Sequence, residues 1–382
     1  MDTAQLTVEL NALHKALDTA SGPEEYSVLV GFDGFVDEII DVVHKRDSFD
    51  QYQRMETISE LGNRIQRAAG LSTNIELLPK TIKLGGNGPI MANALSSVGV
   101  KVSYVGALGY PDIHPVFREL TDRCEEVYSV TEPGHTDALE FRDGKVMLGK
   151  LRSLNDVNWN RFVEHIGLDT IKRLFSAADL VATVNWTMTP YMNEIWGHLL
   201  DVAPKVNESS APIFFIDLAD PEKRKAEDIA EAMEIIQSFR RNYRVVLGLN
   251  RKEATEVAQV LGLELSSAPD TVSLEEITKA LAQALDVWCL MVHPTTEAAA
   301  VCEGEFVSVE GPYTERPNLT TGAGDNFNSG FCVGLLMGLS LRHALLLGKV
   351  TSGFYVREMH SPSVAELKAF IETWLQHVGE DF

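Results

Sequence analysis

Basic residues are scarce in this chain. Lysine and arginine number 33 against 55 aspartates and glutamates, giving a net charge of −22 and a pI of about 4.8. So acidic a surface excludes general affinity for nucleic acid or anionic membranes, which needs an excess of positive charge. It also means that a phosphate-bearing ligand needs local help from backbone amides, a metal or a few basic side chains. Cysteine is scarce too. Cys124, Cys289, Cys302 and Cys332 form no C-x-x-C pair, and three lie in apolar stretches. This predicts reduced, buried thiols. No apolar run reaches the roughly 18 residues of a membrane span. The first residues, MDTAQLTVELNALHKALD, are acidic and amphipathic and lack the apolar core of a signal peptide. The expectation is a cytoplasmic protein, in which the sequons at Asn185, Asn207 and Asn318 carry no weight. Several familiar motifs are missing as well. The ten histidines show no H-E-x-x-H spacing. GGNGPI fails as G-x-G-x-x-G because Met91 holds the third glycine's place, and LLLGKVTSG lacks the earlier glycine of a P-loop.

What is present is ordinary globular composition, 45% hydrophobic and 23% charged over 382 residues, enough to bury a sizeable core. The first 20 or so residues read as a lead-in helix. YSVLVGFDGFVDEII is a strand running into a loop, and VKVSYVGALG is a second strand. Between about 125 and 150 the pattern alternates and breaks at Pro-Gly and Asp-Gly, which predicts an antiparallel hairpin and a small β lid. Beyond residue 170, ADLVATVNW, APIFFIDLAD, YRVVLGLN and VWCLMVHPTT are short apolar runs, each followed by a helix-like segment. Strands apolar on both faces that alternate with helices predict an α/β protein with a parallel sheet. Asp220-Pro221 looks like a cap before a first-turn proline. Ser273 with Glu276, and Ser363 with Glu366, look like capping boxes. In such sheets ligands sit at the carboxyl ends of the strands, so chemistry is sought just after each one.

LTTGAGDNFNSGF, residues 319–331, carries the sharpest signal. Glycine inside a helix costs about 1 kcal/mol against alanine, so two glycines this close need a reason. Gly322, Ala323 and Gly324 can present successive N–H groups at a helix start, an anion hole for a moving phosphoryl group. Asp325 is then placed to take a proton from an attacking hydroxyl. A glycine-rich turn with a capping aspartate explains the same spacing. Gly330 and Gly334, four apart, allow close helix packing.

The stretch resembles the D-T-x-G-A-G-D signature of the ribokinase-like, PfkB-type carbohydrate kinases. Thr320, Gly322, Ala323, Gly324 and Asp325 match, and the likeness extends from about residue 26 to 375. The resemblance implies a three-layer α/β/α fold with a mostly parallel central sheet. It also implies a small β-sheet lid from segments near 38–45, 75–84 and 125–150, all within a single domain. It implies ATP and Mg²⁺ as cofactors, Asp325 as catalytic base and residues 322–324 as anion hole. Leu319 replaces the family's leading aspartate, which helps hold an activating monovalent cation in relatives; leucine cannot ligate one. Asn250 and Glu253 in GLNRKEATEV match the family's N-x-x-E, which implies a role around Mg²⁺ and the phosphates, directly or through water. Thr320 and Thr321 join that group. The same spacing is also a helix-start signature, and both can hold at once. After the first strand, Asp37 is the better match to the family's sugar-binding aspartate and Asp33 the weaker; a solvent-facing loop acid is the plain alternative.

LGGNGPIMANALSSVGV is similar to the family's G-G-x-x-x-N-x-A signature. Gly85 and Gly86 let a substrate lie against backbone, and Asn87 can face hydroxyls. Ile90 stands where the family has asparagine, with Asn93 as the candidate substitute. Several phosphosugar-using relatives have lysine at position 87, so Asn87 implies an uncharged sugar or sugar-like alcohol. Nucleosides, phosphosugars or a silent sugar- or nucleotide-binding relative are the alternatives. Adenine contacts belong somewhere near 295–311 and 345–360, where HPTTEAAAV lacks the family's glycine pattern. Relatives often pair through the lid, which implies a homodimer.

Overall fold

The structure is a computed structural model that describes residues 3–19, 22–203, 211–268 and 271–379; the sequon at Asn207 lies outside them. The chain opens with α1 (Thr3–Thr19) and β1 (Ser27–Phe32), then enters a small sheet through β2 (Phe35–Arg46) and β3 (Tyr52–Arg54). Helix α2 (Ile58–Arg67), β4 (Glu76–Gly85), α3 (Asn87–Ser97), β5 (Lys101–Gly106), α4 (Arg118–Thr121) and β6 (Glu126–Ser129) follow. The hairpin of β7 (Gly134–Phe141) and β8 (Gly144–Lys150) leads to α5 (Trp159–His165) and α6 (Leu168–Ala177). Strand–helix alternation then runs through β9 (Leu180–Thr183), α7 (Met192–Val202), β10 (Ile213–Asp217), α8 (Ala226–Ser238), β11 (Arg244–Leu249) and α9 (Arg251–Val260). Next come α10 (Leu274–Ala284), β12 (Cys289–Val292), β13 (Glu297–Cys302) and β14 (Glu305–Glu310), and the final helices α11 (Ala323–Leu336), α12 (Leu341–Glu358) and α13 (Val364–Gln376).

Nine strands make the large sheet, in the order β14-β13-β12-β11-β10-β9-β1-β5-β6, parallel from β12 to β6. The residues of β1 divide between two cores. Val28 and Val30 of β1 pack toward α1, α3 and α11–α13, while Leu29 and Phe32 pack toward the layer of α5–α10. The result is three layers, with the sheet apolar on both faces as its sequence runs require. The small sheet (β3-β2-β7-β8, with β4 on β2) has its own core, where Ile40, Val42, Leu139 and Phe141 meet Met55 and Leu61. Leu6, Leu10 and Leu13 bury the lead-in helix. Close packing of α11 on α12 uses the small residues expected: a Cβ on Gly334 would lie 2.6 Å from Ala344 Cα. Among the described residues no helix is long and apolar enough to cross a membrane.

Several local expectations change. No helix follows β12. EAAAVCEGEFVSVE folds instead as the β13–β14 hairpin, turning at Glu303 and Gly304, both with positive φ (50° and 84°). The alanines that imitate a helix are buried between strands, and in β14 buried Val307 and Val309 alternate with exposed Ser308 and Glu310. The segment 125–150 divides: Glu126–Ser129 pairs parallel with β5 at the large sheet's edge, and only the part past Pro133 joins the small sheet. Asp220-Pro221 begins a single tight turn, Pro221–Lys223, with Asp220 left-handed (φ 64°) and no capping bond; α8 starts at Ala226. Ser273 caps α10, but the Glu276 carboxylate turns to Ser266 rather than closing a box. Ser363 and Glu366 do form one. All four cysteines are free, with Cys289 and Cys332 buried and Cys124 and Cys302 half-buried.

Candidate active site

The chain winds outward from β1 in both directions, so strand order reverses there and the carboxyl ends of the central strands open onto one crevice. Two clefts meet in it. The first, about 330 Å³, lies between the two sheets and is lined by Asp37, Asn87, Ile90, Thr136, Asn185 and Asp325, among others. The second, about 340 Å³, runs between the β12–β13 loop and α12, past Asn250, Thr320, Gly324 and Phe327. The start of α11 separates them.

Asp325 stands in the first turn of α11 at that divide, buried, with Oδ1 accepting from Asn87 Nδ2 at 2.9 Å. Its pKa is pushed well above the ordinary carboxylate value. Burial is the main cause, and Asp217, Asp33 and Glu253 add repulsion that the Asn87 bond only partly offsets. Gly322, the residue before α11, has φ 91°, which a residue with a side chain adopts only under strain. A Cβ there would also lie 2.8 Å from the Tyr355 hydroxyl and 3.2 Å from Ile90. Ala323 N–H is turned back to Thr320 O (3.2 Å), while among the described residues no backbone acceptor takes the amides of Gly322 and Gly324. Thr320 lines the second cleft and Thr321 the first, its carbonyl fixed by the Tyr355 hydroxyl at 3.0 Å.

The two candidate sugar aspartates separate. Asp37 points from the small sheet into the first cleft, flanked by Thr136, which donates to it, and by Lys83. Burial raises its pKa, and Thr136, Lys83 and Lys145 hold the rise back. Asp33 is wholly buried and does not line the cleft. Its carboxylate accepts from Asn87 N (3.0 Å), Gly88 N (2.8 Å) and Asn185 Nδ2 (2.6 Å). It therefore fixes the start of α3 and the loop after β9 from beneath; burial lifts it to about 6 despite three donors. Gly86 and Asn87 line the cleft, whereas Gly85 sits behind Asp37. Ile90 takes its place in the wall by packing on Gly322. Asn93 does not replace the missing asparagine: it bonds Ser361 and Arg123, away from the cleft.

Asn250 and Glu253 form a complete capping box at the start of α9. The Glu253 carboxylate is fully used, accepting from Asp220 N (3.0 Å) and Asn250 N (2.8 Å). It is buried beside Asp217, so its pKa rises to about 8. Asp217, at the end of β10, is itself raised to about 6 by burial, against an Asn328 Nδ2 bond of 2.8 Å. Asp217 adds to the rise of Glu253, and both add to that of Asp325; a hard cation that takes oxygen ligands and keeps its waters would relieve that repulsion. Glu253, its oxygens occupied, would act on such an ion through water.

Sequence reasoning missed Asp217 and Asn185. Asn185 has φ 59°, donates to Asp33 and accepts from Met188 N at 3.3 Å. Each lies at or just past the end of a short apolar strand, a signal that the rule applied to the other strands already contained.

The fold is ribokinase-like. A probable sugar kinase from Rhizobium etli matches with a TM-score of 0.63 and 18% identity, over 92% of this chain and 99% of that one. Arabidopsis thaliana ribokinase, solved with ribose and ATP, matches at 0.60 and 16%, over 91% and 98%. The nucleoside kinase of Methanocaldococcus jannaschii matches at 0.59 and 14%, over 92% and 100%. On sequence, ketohexokinase of Haloferax volcanii is 30% identical over 352 residues, 92% of each chain. The protein is a carbohydrate kinase. More narrowly, residues 12–374 match the family described as prokaryotic ketohexokinase, and the chain belongs to that family.

Proposed function

We propose that this kinase transfers the γ-phosphoryl group of ATP to a hydroxyl of a free ketohexose, with Asp325 as the base. The observation that carries the reading is the buried Asp325 carboxylate at the meeting point of two clefts, beside amides that no backbone acceptor takes among the described residues. The sugar lies in the first cleft. Asp37 accepts from its hydroxyls, and Asn87 steadies both the sugar and Asp325. No basic residue among the described ones lines that cleft, and Lys83 and Lys145 near Asp37 are set against its carboxylate, so Asn87 rather than a lysine at position 87 is what favours an uncharged acceptor over a phosphosugar. The nucleotide lies in the second cleft, with Asn250 and Thr320 toward its phosphates. Asp325 takes the hydroxyl proton, and the Gly322 and Gly324 amides meet charge on the moving group, where most catalysis of such transfers resides. Mg²⁺ near Asp217 and Glu253 would supply charge neutralisation. The elevated pKa of Asp325 makes it a stronger base once a neighbouring cation permits ionisation.

The small sheet then serves as a lid whose closure excludes water and limits idle ATP hydrolysis. Its exposed Leu77, Ile82 and Leu148 suit pairing of two copies. The test is a coupled ADP-release assay across fructose, tagatose, glucose, ribose, fructose 6-phosphate and adenosine. A ketohexose should lead, and Asp325→Asn should cut turnover by about 10²–10⁴-fold with ATP binding nearly intact. Near-normal turnover of that variant would remove Asp325 as base.

A further inference from the structure

Lys349 is a buried cation that phosphoryl transfer, as described, leaves without a task. It lies midway along α12, 5% exposed, and lines the second cleft. Its Nζ donates to the carbonyls of Pro294 (2.9 Å) and Thr295 (2.8 Å) in the β12–β13 loop and stands 5.8 Å from the centre of the Phe327 ring. Gly311 leaves room for its stem: a Cβ there would lie 2.6 Å from Lys349 Cε. Among the described residues no carboxylate comes within 4 Å of it; Glu297, on β13, favours its charge from further off. His293, stacked on Phe327 at 4.8 Å, is the other titratable neighbour. Burial keeps that imidazole neutral, down to about 3, and Lys349 adds to the effect. Burial likewise loosens the Lys349 proton, to about 7.

A buried ammonium with two carbonyls and a ring as partners is expensive, and an apolar side chain of the same length would fill the space at lower cost. The site where the cost is met is a cleft for an anion in a chain of net charge −22. We propose that Lys349 is a positioning residue for the nucleotide: its ammonium, held in place by two loop carbonyls, draws the polyphosphate into the second cleft through its charge. This rests on the ATP reading above. Beneath a cleft floor, a charge is screened far less than at the surface, so it acts without direct contact. Binding of the anion should in turn tighten the Lys349 proton.

The test uses the full chain and the variants Lys349→Met and Lys349→Arg, with Kd measured by calorimetry for Mg·ATP and for adenosine between pH 7 and 9. In the wild type, Mg·ATP should weaken as pH rises and the ammonium is lost. In Lys349→Met it should be about tenfold weaker at pH 7 and should fall less than the wild type between pH 7 and 9, while adenosine is within twofold of wild type throughout. Lys349→Arg, which stays charged, should bind tightly at pH 7 and lose less affinity than the wild type by pH 9. Equal loss of adenosine and Mg·ATP in the Met variant would make Lys349 a structural pin and overturn the proposal, as would wild-type Mg·ATP affinity. Should the Met variant not fold, the Arg variant decides: a pH profile like the wild type's overturns the proposal. Failure of the wild type to bind Mg·ATP would bring down the nucleotide reading too; binding with no effect at Lys349 would bring down this inference alone.

Discussion

Gly85→Ala should weaken sugar binding without touching the nucleotide, because Asp37 occupies the space a side chain there would need. Gly85 pairs with Phe35 across β2 and β4, and Asp37, two residues on, leans its carboxyl back over the glycine. A Cβ at position 85 would lie 2.3 Å from Asp37 Cγ and Oδ2 and 2.5 Å from Oδ1. Ordinary van der Waals contact begins at 3.4 Å, so the carboxyl must retreat by 3.4 − 2.3 = 1.1 Å. Such a shift is enough to break a charged hydrogen bond to a sugar hydroxyl, worth about 1.5–3 kcal/mol, or about 10- to 100-fold in KM. The fold should hardly notice. An off-rotamer Asp37 costs about 0.5–1.5 kcal/mol. Removing a glycine's freedom in the unfolded chain returns about 0.4–1 kcal/mol. Steady-state kinetics with the ketose and ATP varied in turn, alongside thermal unfolding, checks this. Gly62→Ala, where the new methyl meets nothing within 4 Å, is the control. An unchanged ketose KM in Gly85→Ala would refute both the placement of the sugar and the role of Asp37.

Two more predictions concern charge. Asp33 and Asp217 are raised to about 6, Glu253 to about 8, and Asp325 further above its ordinary value. The folded state thus binds more protons than the unfolded chain, whose carboxyl groups titrate near 4. The stabilisation is full below that value and is lost as pH rises through the folded values, so metal-free protein should melt lower at pH 7 than at pH 5. His293, neutral when folded, opposes this below its ordinary value of 6.5 but is outnumbered. Differential scanning calorimetry in chelator reads the slope; a melting temperature that rises over this interval would contradict the buried carboxyl cluster. Leu319 is half-buried, its N–H bonded to Val356 O at 3.1 Å, and offers no carboxylate. Turnover should therefore stay within about twofold when K⁺ replaces Na⁺, and strong K⁺ activation would show that other groups hold the ion.

Local physics decided a good deal of this protein in advance. Apolar runs such as Ile213–Asp217 and Cys289–Val292 are buried on both sides, which only a covered parallel sheet allows, and they are visible in sequence because burial on two faces removes the polar alternation. Two glycines flanking Ala323 before Asp325 announced a helix start approached by something, because each has a conformational cost that only close approach repays. Asn250 and Glu253 announced their capping box for the same local reason. The tertiary structure decided which acids share a site. Asp33 and Asp37 are four residues apart and equally acidic on paper. A bend between β1 and β2 sends one beneath α3, where three N–H groups claim it, and the other into the open cleft. Asp217 and Asn185 read as ordinary polar residues until the strand order brought them beside a helix 100 residues and more further on. Lys349 looks like any lysine in a helix; that it is buried under a cleft depends on α12 crossing a loop some 55 residues earlier in the chain. Spacing along the chain records what neighbours do to one another, and long-range packing alone sets the burial and company that give an acid or a lysine its chemistry.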